Sequence, residues 1–172
     1  HGAGLQWADE WPAYKHDDQG VPLYLSELIL WPRGSFKSQV FTVGYVCQRI
    51  AKNPDIRIFV ASETGKQARK FVNNAMKIID SARYRELFGV HRNIDGSDWS
   101  VRSGFTSQLR SESAMHLKEP TLAPFGVGEV QTGAHWDLGI FDDIISQENT
   151  KTPEGIEKLD DWIGDMLAQL DP

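Results

Sequence analysis

Short apolar runs alternate along this chain with longer stretches in which apolar residues recur at helical spacing. Residues 27–31 (ELILW) form a brief apolar run stopped by Pro32 and Gly34, which predicts a buried strand entering a tight loop. From residue 38 to about 52 there is no proline and only Gly44, with Phe41, Tyr45 and Ile50 close to helical spacing, so a helix is expected. After Asn53-Pro54, residues 56–61 (IRIFVA) predict a second strand and residues 64–79 a second helix, with Ser62 and Thr64 as candidate caps. Residues 99–102 and those from Phe105 onward predict a hairpin across Ser103-Gly104. Residues 138–141 (LGIF) leave the glycine-rich stretch 126–133 and run into Asp142-Asp143. The last helix, about 153–170, places Ile156, Leu159, Ile163, Met166, Leu167 and Leu170 on one stripe, with Thr152 as cap and Pro153 in the first turn.

Strands alternating with helices imply an α/β fold, a mostly parallel sheet flanked by helices with ligands at the carboxyl ends of the strands. The 172 residues suit one domain, with residues 1–24 as an irregular lead-in. The longest apolar stretch, residues 23–31, is far short of the ~20 residues a membrane span needs. Cys47 is the sole cysteine, so no internal disulfide forms, and no Cys/His cluster has zinc spacing; Cys47 is expected in the core. A chain that opens with His1 and carries no signal-peptide pattern reads as a piece of a longer polypeptide.

The net charge of −6 disfavours a domain that coats nucleic acid over its whole surface, yet the charge is uneven. Residues 66–92 carry seven cations against two acids, and residues 137–172 ten acids against two lysines. These are either solvated helix faces of opposite sign or a basic edge that meets DNA or the acidic edge of a neighbouring subunit.

Candidate chemistry sits at residues 28–39 (LILWPRGSFKSQ), after the first predicted strand and before the first helix. In a phosphate-binding loop, backbone amides and the helix N-terminus surround the phosphates, a lysine neutralises the β/γ oxygens and the next hydroxyl ligates Mg²⁺. Lys37 and Ser38 stand in those places, although the strict glycine positions hold Trp31 and Phe36 and leave Gly34 as the loop's glycine. The apolar strand ending in two acids supplies the complementary half: Asp142 for the Mg²⁺ shell, Asp143 to orient or deprotonate water. Arg33, in the loop, is placed to act on a γ-phosphate. Taken singly, each feature also has a structural explanation: a first-turn Lys-Ser pair, acids capping a helix, a surface arginine.

Three segments in this order, WPRGSFKSQ, IFVASETGKQA and TGAHWDLGIFDDIISQEN (residues 132–149), resemble the first landmarks of bacteriophage terminase large subunits, whose loop commonly reads PRG-x-x-KS. The resemblance covers roughly residues 25 to 150. It implies an additional-strand, RecA-like P-loop NTPase core that hydrolyses ATP with Mg²⁺ to drive double-stranded DNA into a viral procapsid. By motif, residues Pro32, Arg33, Gly34, Ser35, Phe36, Lys37 and Ser38 bind nucleotide, Ser38 and Asp142 serve the metal, and Asp143, Arg33 and Lys37 are catalytic, Asp143 taking the usual glutamate's place. The implied partners are the viral portal protein, the small terminase subunit and further copies in a homo-oligomeric ring, usually a pentamer, with a monomer expected in isolation. The implied location is the host bacterial cytoplasm, at the portal vertex. The family's coupling motif and nuclease domain would follow Pro172. An arginine acting on a neighbour's site has Arg102 and Arg110 as candidates, and Gln6 or nearby tryptophans are placed to meet adenine. A P-loop helicase, or a nucleotide-binding assembly switch with little turnover, remains the alternative.

Overall fold

The computed structural model describes residues 28–32, 34–129 and 133–171. The chain divides into two compact units, residues 1–37 with Pro172, and Ser38–Asp171. In the first, residues 28–31 form no strand, and Leu28 and Leu30 are 82% and 83% exposed. The buried strand expected at 27–31 is thus overturned over its described part; Glu27 lies outside the described residues. A strand needs a ladder partner for its backbone groups, and the five-stranded sheet of the described residues does not include this segment. The lead-in 1–24, with Gln6, also lies outside them.

The second unit is an α/β layer structure built on a mixed five-stranded sheet. A π-helical segment, Ser38–Gly44, continues into α1 (Tyr45–Lys52). Then come β1 (Ile58–Ser62), α2 (Gly65–Ile79), α3 (Ala82–Phe88), β2 (Trp99–Ser100), β3 (Gly104–Phe105), β4 (Leu122–Gly126), β5 (Leu138–Asp142) and α4 (Pro153–Leu167). The sheet order is β2-β3-β4-β1-β5, with β1 parallel to both β4 and β5 and β3 antiparallel to β2 and β4. The hairpin expected near Ser103-Gly104 is present in shortened form, pairing Trp99 with Phe105.

Alternation along β1 sorts the core into two layers. Ile58 and Val60 pack with Val43, Val46 and Ile50 of the first helix and Phe71, Val72 and Ile79 of α2. Phe59 and Ala61 pack on the other face with Trp136 and with Leu159, Trp162 and Met166 of α4. Phe59 stands edge-on to Phe125, Trp136 and Phe141, with centroids 5.3 to 6.1 Å apart. It fits because position 139 is glycine: a Cβ there would meet the Phe59 ring at 2.3 Å. The buried stripe of α4 therefore includes Trp162, while Ile156 and Leu167, expected in it, are 52% and 45% exposed. Cys47 is buried as expected, and desolvation pushes its thiol pKa up to about 12, leaving it inert at neutral pH.

Strand β4 (LAPFG) escapes a sequence reading because Pro124 stands at its centre. Ile58 N–H donates to Thr121 O and Val127 N–H to Ser62 O, so the odd-numbered backbone groups of this segment face β1. Pro124 is even-numbered and turns the place of its missing N–H toward the other edge, where β3 pairs only with Leu122. The strand keeps its ladder to β1 intact.

Candidate nucleotide and metal site at the carboxyl ends of the parallel strands

In-register pairing brings Ser62, Gly126 and Asp142 side by side at the carboxyl ends of β1, β4 and β5. The ladder runs one step further, with Glu63 N–H donating to Asp143 O at 3.2 Å. Neighbours in a parallel register share a face, so Ser62 and Asp142 point with Ile58, Val60, Leu138 and Ile140 toward the first helix and α2. Asp143, next along, is exposed and has φ 51, the left-handed region that few non-glycine residues occupy. Adjacent aspartates thus take different surroundings: one carboxylate buried under a helix, the other open to solvent.

Asp142 is 1% exposed, and its Oδ2 accepts a 2.6 Å hydrogen bond from Thr42 Oγ1, itself buried. Thr42 lies about one helical turn after Ser38, on the π-helical segment that Ser38 opens. The helix led by the candidate Mg²⁺ hydroxyl is therefore the one that grips the candidate metal carboxylate. Beside them Ser62 is 1% exposed, and its Oγ has no hydrogen-bond partner among the described residues. A buried unmet hydroxyl costs about 1–3 kcal/mol, and such costs are usually borne where a ligand or water completes the bond. Thr42 carried no sequence signal beyond standing one turn after Ser38. Ser62 was read as a helix cap; Thr64 is the actual cap, accepting from Gln67 N–H, while Ser62 ends the strand.

The third wall is a close approach of backbones. A Cβ on Gly126 would lie 2.4 Å from the Gly65 nitrogen, so only glycine lets the end of β4 reach the start of α2. Glu129 closes that corner, accepting from Gly126 N–H while its carbonyl accepts from Trp162 Nε1.

Among the loop candidates, Arg33 lies outside the described residues. Pro32, Gly34, Ser35, Phe36 and Lys37 belong to the first unit, and Lys37 directly precedes Ser38 in the chain. Within that unit Ser35 Oγ donates to Pro32 O, and Gly34 and Phe36 both have positive φ, 79 and 59. Phe36 holds the strict motif's second glycine position and adopts the backbone conformation that glycine favours there. Of the two arginines considered for action on a neighbour, Arg110 is 5% exposed and donates from Nη1 to Glu119 O, so its guanidinium faces the protein's own interior. Arg102 is exposed and borders a cleft of about 490 Å³ with Phe105, Lys118, Phe125 and Glu129, which neither Ser62 nor Asp142 lines.

The donors gathered here are hard oxygens, a carboxylate with threonine and serine hydroxyls. Among the described residues no three His, Cys, Asp or Glu side chains converge as a metal cage. Magnesium accepts such a site, because it keeps several waters and takes one or two carboxylates plus substrate phosphates. Among the described residues no helix is long and apolar enough to cross a membrane. No family model and no curated protein matches this chain.

Proposed function

We propose that the chain is a Mg²⁺-dependent ATPase of the P-loop type, the motor domain of a terminase-like enzyme that moves double-stranded DNA into a viral procapsid. The observation that carries the nucleotide site is the buried Thr42–Asp142 hydrogen bond. It ties the acidic end of β5 to the helix that Lys37-Ser38 introduces. The DNA-packaging role rests on the motif resemblance.

In this reading the amides of residues 34–38 and the helix start bind the triphosphate, and Lys37 neutralises its β/γ oxygens. Ser38, Asp142 and the unmet Ser62 hydroxyl hold the hydrated metal, which when bound withdraws charge from the transferring phosphoryl group. Asp143, open to solvent beside the buried acid, orients the attacking water and takes its proton, and Arg33 acts on the γ-phosphate.

Binding and turnover are measured separately, with a fluorescent ATP analogue and by phosphate release. Lys37→Ala is expected to lose nucleotide binding. Asp143→Asn is expected to bind normally and to hydrolyse at least about 100-fold more slowly, roughly 3 kcal/mol of lost transition-state stabilisation. Unimpaired turnover in both variants would refute the assignment.

A further inference from the structure

A threonine inside a helix ordinarily turns its hydroxyl back to a carbonyl three or four residues earlier. Thr42 Oγ1 instead donates to Asp142 Oδ2 at 2.6 Å, across 100 positions of chain, with both side chains buried. That separation belongs to a hydroxyl donating to a charged oxygen, a stronger bond than one between neutral groups. The elements that carry the pair are fixed. Val43 and Val46 are fully buried in the cluster that holds Ile58 and Val60 of β1, so the helix cannot roll without breaking close packing. Asp142 closes β5 in register with Ser62. Thr42 therefore sets which way the Asp142 carboxylate faces, as groups behind a metal ligand generally do.

That orientation matters to a cation. A grip through both carboxylate oxygens needs both to face the ion, and the Thr42 hydrogen bond to Oδ2 opposes it. The groups beside Asp142 are neutral hydroxyls: Ser62 Oγ, buried with no partner among the described residues, and Ser38, which opens the helix that carries Thr42. Among the described residues no three acids converge as a cage. Calcium takes six to eight oxygens at about 2.3–2.6 Å and often holds a carboxylate by both oxygens. Magnesium demands six at about 2.0–2.1 Å, keeps several waters and accepts one or two carboxylates. One carboxylate presented through a single oxygen, with hydroxyls beside it, suits the smaller ion.

We infer that Thr42 sets the metal preference of this site: by holding Asp142 Oδ2 it restricts the carboxylate to one-oxygen coordination and favours Mg²⁺ over Ca²⁺. Thr42 acts through Asp142 and is a positioning residue. The inference rests on the reading of Asp142 as the metal carboxylate and adds to it the residue that makes the site selective. A hydroxyl that only satisfied a buried carboxylate would cost stability when removed, yet leave the ratio of metal affinities where it was.

The test reads metal affinity without turnover. Mn²⁺, which octahedral oxygen sites accept alongside Mg²⁺ and Ca²⁺, is bound to the chain with a non-hydrolysable ATP analogue, followed by electron paramagnetic resonance and displaced by Mg²⁺ or Ca²⁺. The native chain should prefer Mg²⁺. Thr42→Val, close in shape but without the donor, should weaken Mg²⁺ about tenfold and Ca²⁺ far less, so the preference shrinks. Thr42→Ser, which keeps the hydroxyl, should retain most of it. Should Thr42→Val fail to fold, infrared difference spectra of the native chain with labelled aspartate decide the matter. Adding Mg²⁺ should give the wide splitting of carboxylate stretches that one-oxygen coordination produces, and Asp142→Asn should lack it. The narrow splitting of a two-oxygen grip would overturn the inference. A native chain that binds no Mn²⁺, or an Asp142→Asn chain that binds it equally well, would overturn the metal site and this inference with it. Mn²⁺ binding lost in Asp142→Asn beside an unmoved Mg²⁺/Ca²⁺ ratio in Thr42→Val would overturn the role of Thr42 alone.

Discussion

The two ends of the parallel strands treat their polar groups differently. At the amino ends, Arg57 makes a network in which each charge meets another. Its backbone N–H and Nε donate to Asp137 Oδ2, and its Nη2 donates to Asp137 Oδ1 and to Asp171 Oδ2, both at 2.6 Å. His135 Nδ1 adds a 3.0 Å contact to Asp171. The network ties the start of β1 to the start of β5 and to the chain beyond α4, where Asp171 N–H also donates to Trp136 O. At the carboxyl ends, Ser62 Oγ is buried and unmet, Asp142 is buried under Thr42, and Asp143 takes a backbone conformation costing of order 1 kcal/mol. Satisfied groups stabilise a fold; buried groups left short of partners lower stability and persist where they bind something. Among the described residues unmet buried groups occur on the amino-end side too, at Arg110 Nε and Nη2 and Trp136 Nε1, so what sets the carboxyl end apart is an unmet hydroxyl standing beside one buried and one exposed carboxylate.

The sharpest way to break that comparison is to change the charge at one end and watch which property responds. Asp142→Asn preserves shape and can keep the Thr42 contact, so folding should change by less than about 1 kcal/mol. Loss of the charge should cost Mg²⁺-dependent turnover roughly 100-fold or more, about 3 kcal/mol of transition-state stabilisation. Phosphate release read beside a denaturant midpoint checks both halves. Next in size is Arg57→Ala. Its side chain is 12% exposed while its partners are 35% and 39% exposed, so the loss is discounted for solvent to about 2 kcal/mol. Urea denaturation should report that loss with the catalytic rate of the folded fraction unchanged. Equal losses of activity per folded molecule in both variants would erase the division between the ends.

What could be read in the sequence follows the same line. Strands β1 and β5, helix α2 with its Thr64 cap and helix α4 with its Thr152 cap were legible, because apolar period and cap chemistry are local signals. Strand β4 was not, since its central Pro124 is tolerated only by the way the register turns it. Trp162 was missed and Ile156 overvalued in α4, because which flank of an amphipathic stripe is covered depends on Phe141 lying 6.1 Å from the Trp162 ring. The run at 27–31 has an apolar pattern that fits a strand, yet the sheet of the described residues does not include residues 28–31, and pairing is not encoded in one segment. At the site, Asp142 and Asp143 were legible from their place at a strand end. Thr42 and Ser62 were not, because their meaning comes from tertiary register and from the absence of a bond.

A third test sharpens the amino-end side. His91 is 1% exposed and its Nδ1 lies 2.8 Å from Ser107 Oγ; Ser107 N–H in turn donates to Thr121 Oγ1 just before β4. Desolvation holds its pKa below the ordinary 6.5. Between that lowered value and 6.5 the unfolded chain binds a proton that the folded chain refuses. Its contribution to stability is therefore full above about 6.5 and is lost as pH falls toward the folded-state pKa, with a slope of at most about 1.4 kcal/mol per pH unit. His91→Gln can keep the Ser107 contact without titrating. Urea midpoints taken across the mildly acidic range should fall with pH less steeply than in the native chain, and parallel slopes would remove His91 from the amino-end account.

The smallest expected change in stability is also the most discriminating. Ser62→Ala removes a buried hydroxyl that has no partner among the described residues, so thermal unfolding should occur at the same temperature or slightly higher, a gain of about 0–1 kcal/mol. A hydroxyl kept only by chance would leave everything else untouched. One that completes a metal or nucleotide site should weaken Mg²⁺-nucleotide affinity several-fold while folding improves, and Ser62→Thr, which restores the oxygen, should recover part of that affinity. Isothermal titration of both variants beside their melting curves separates the cases. Undiminished affinity in Ser62→Ala would leave the carboxyl end with a polar group serving neither fold nor ligand, and the contrast between the two ends would then rest on Asp142 alone.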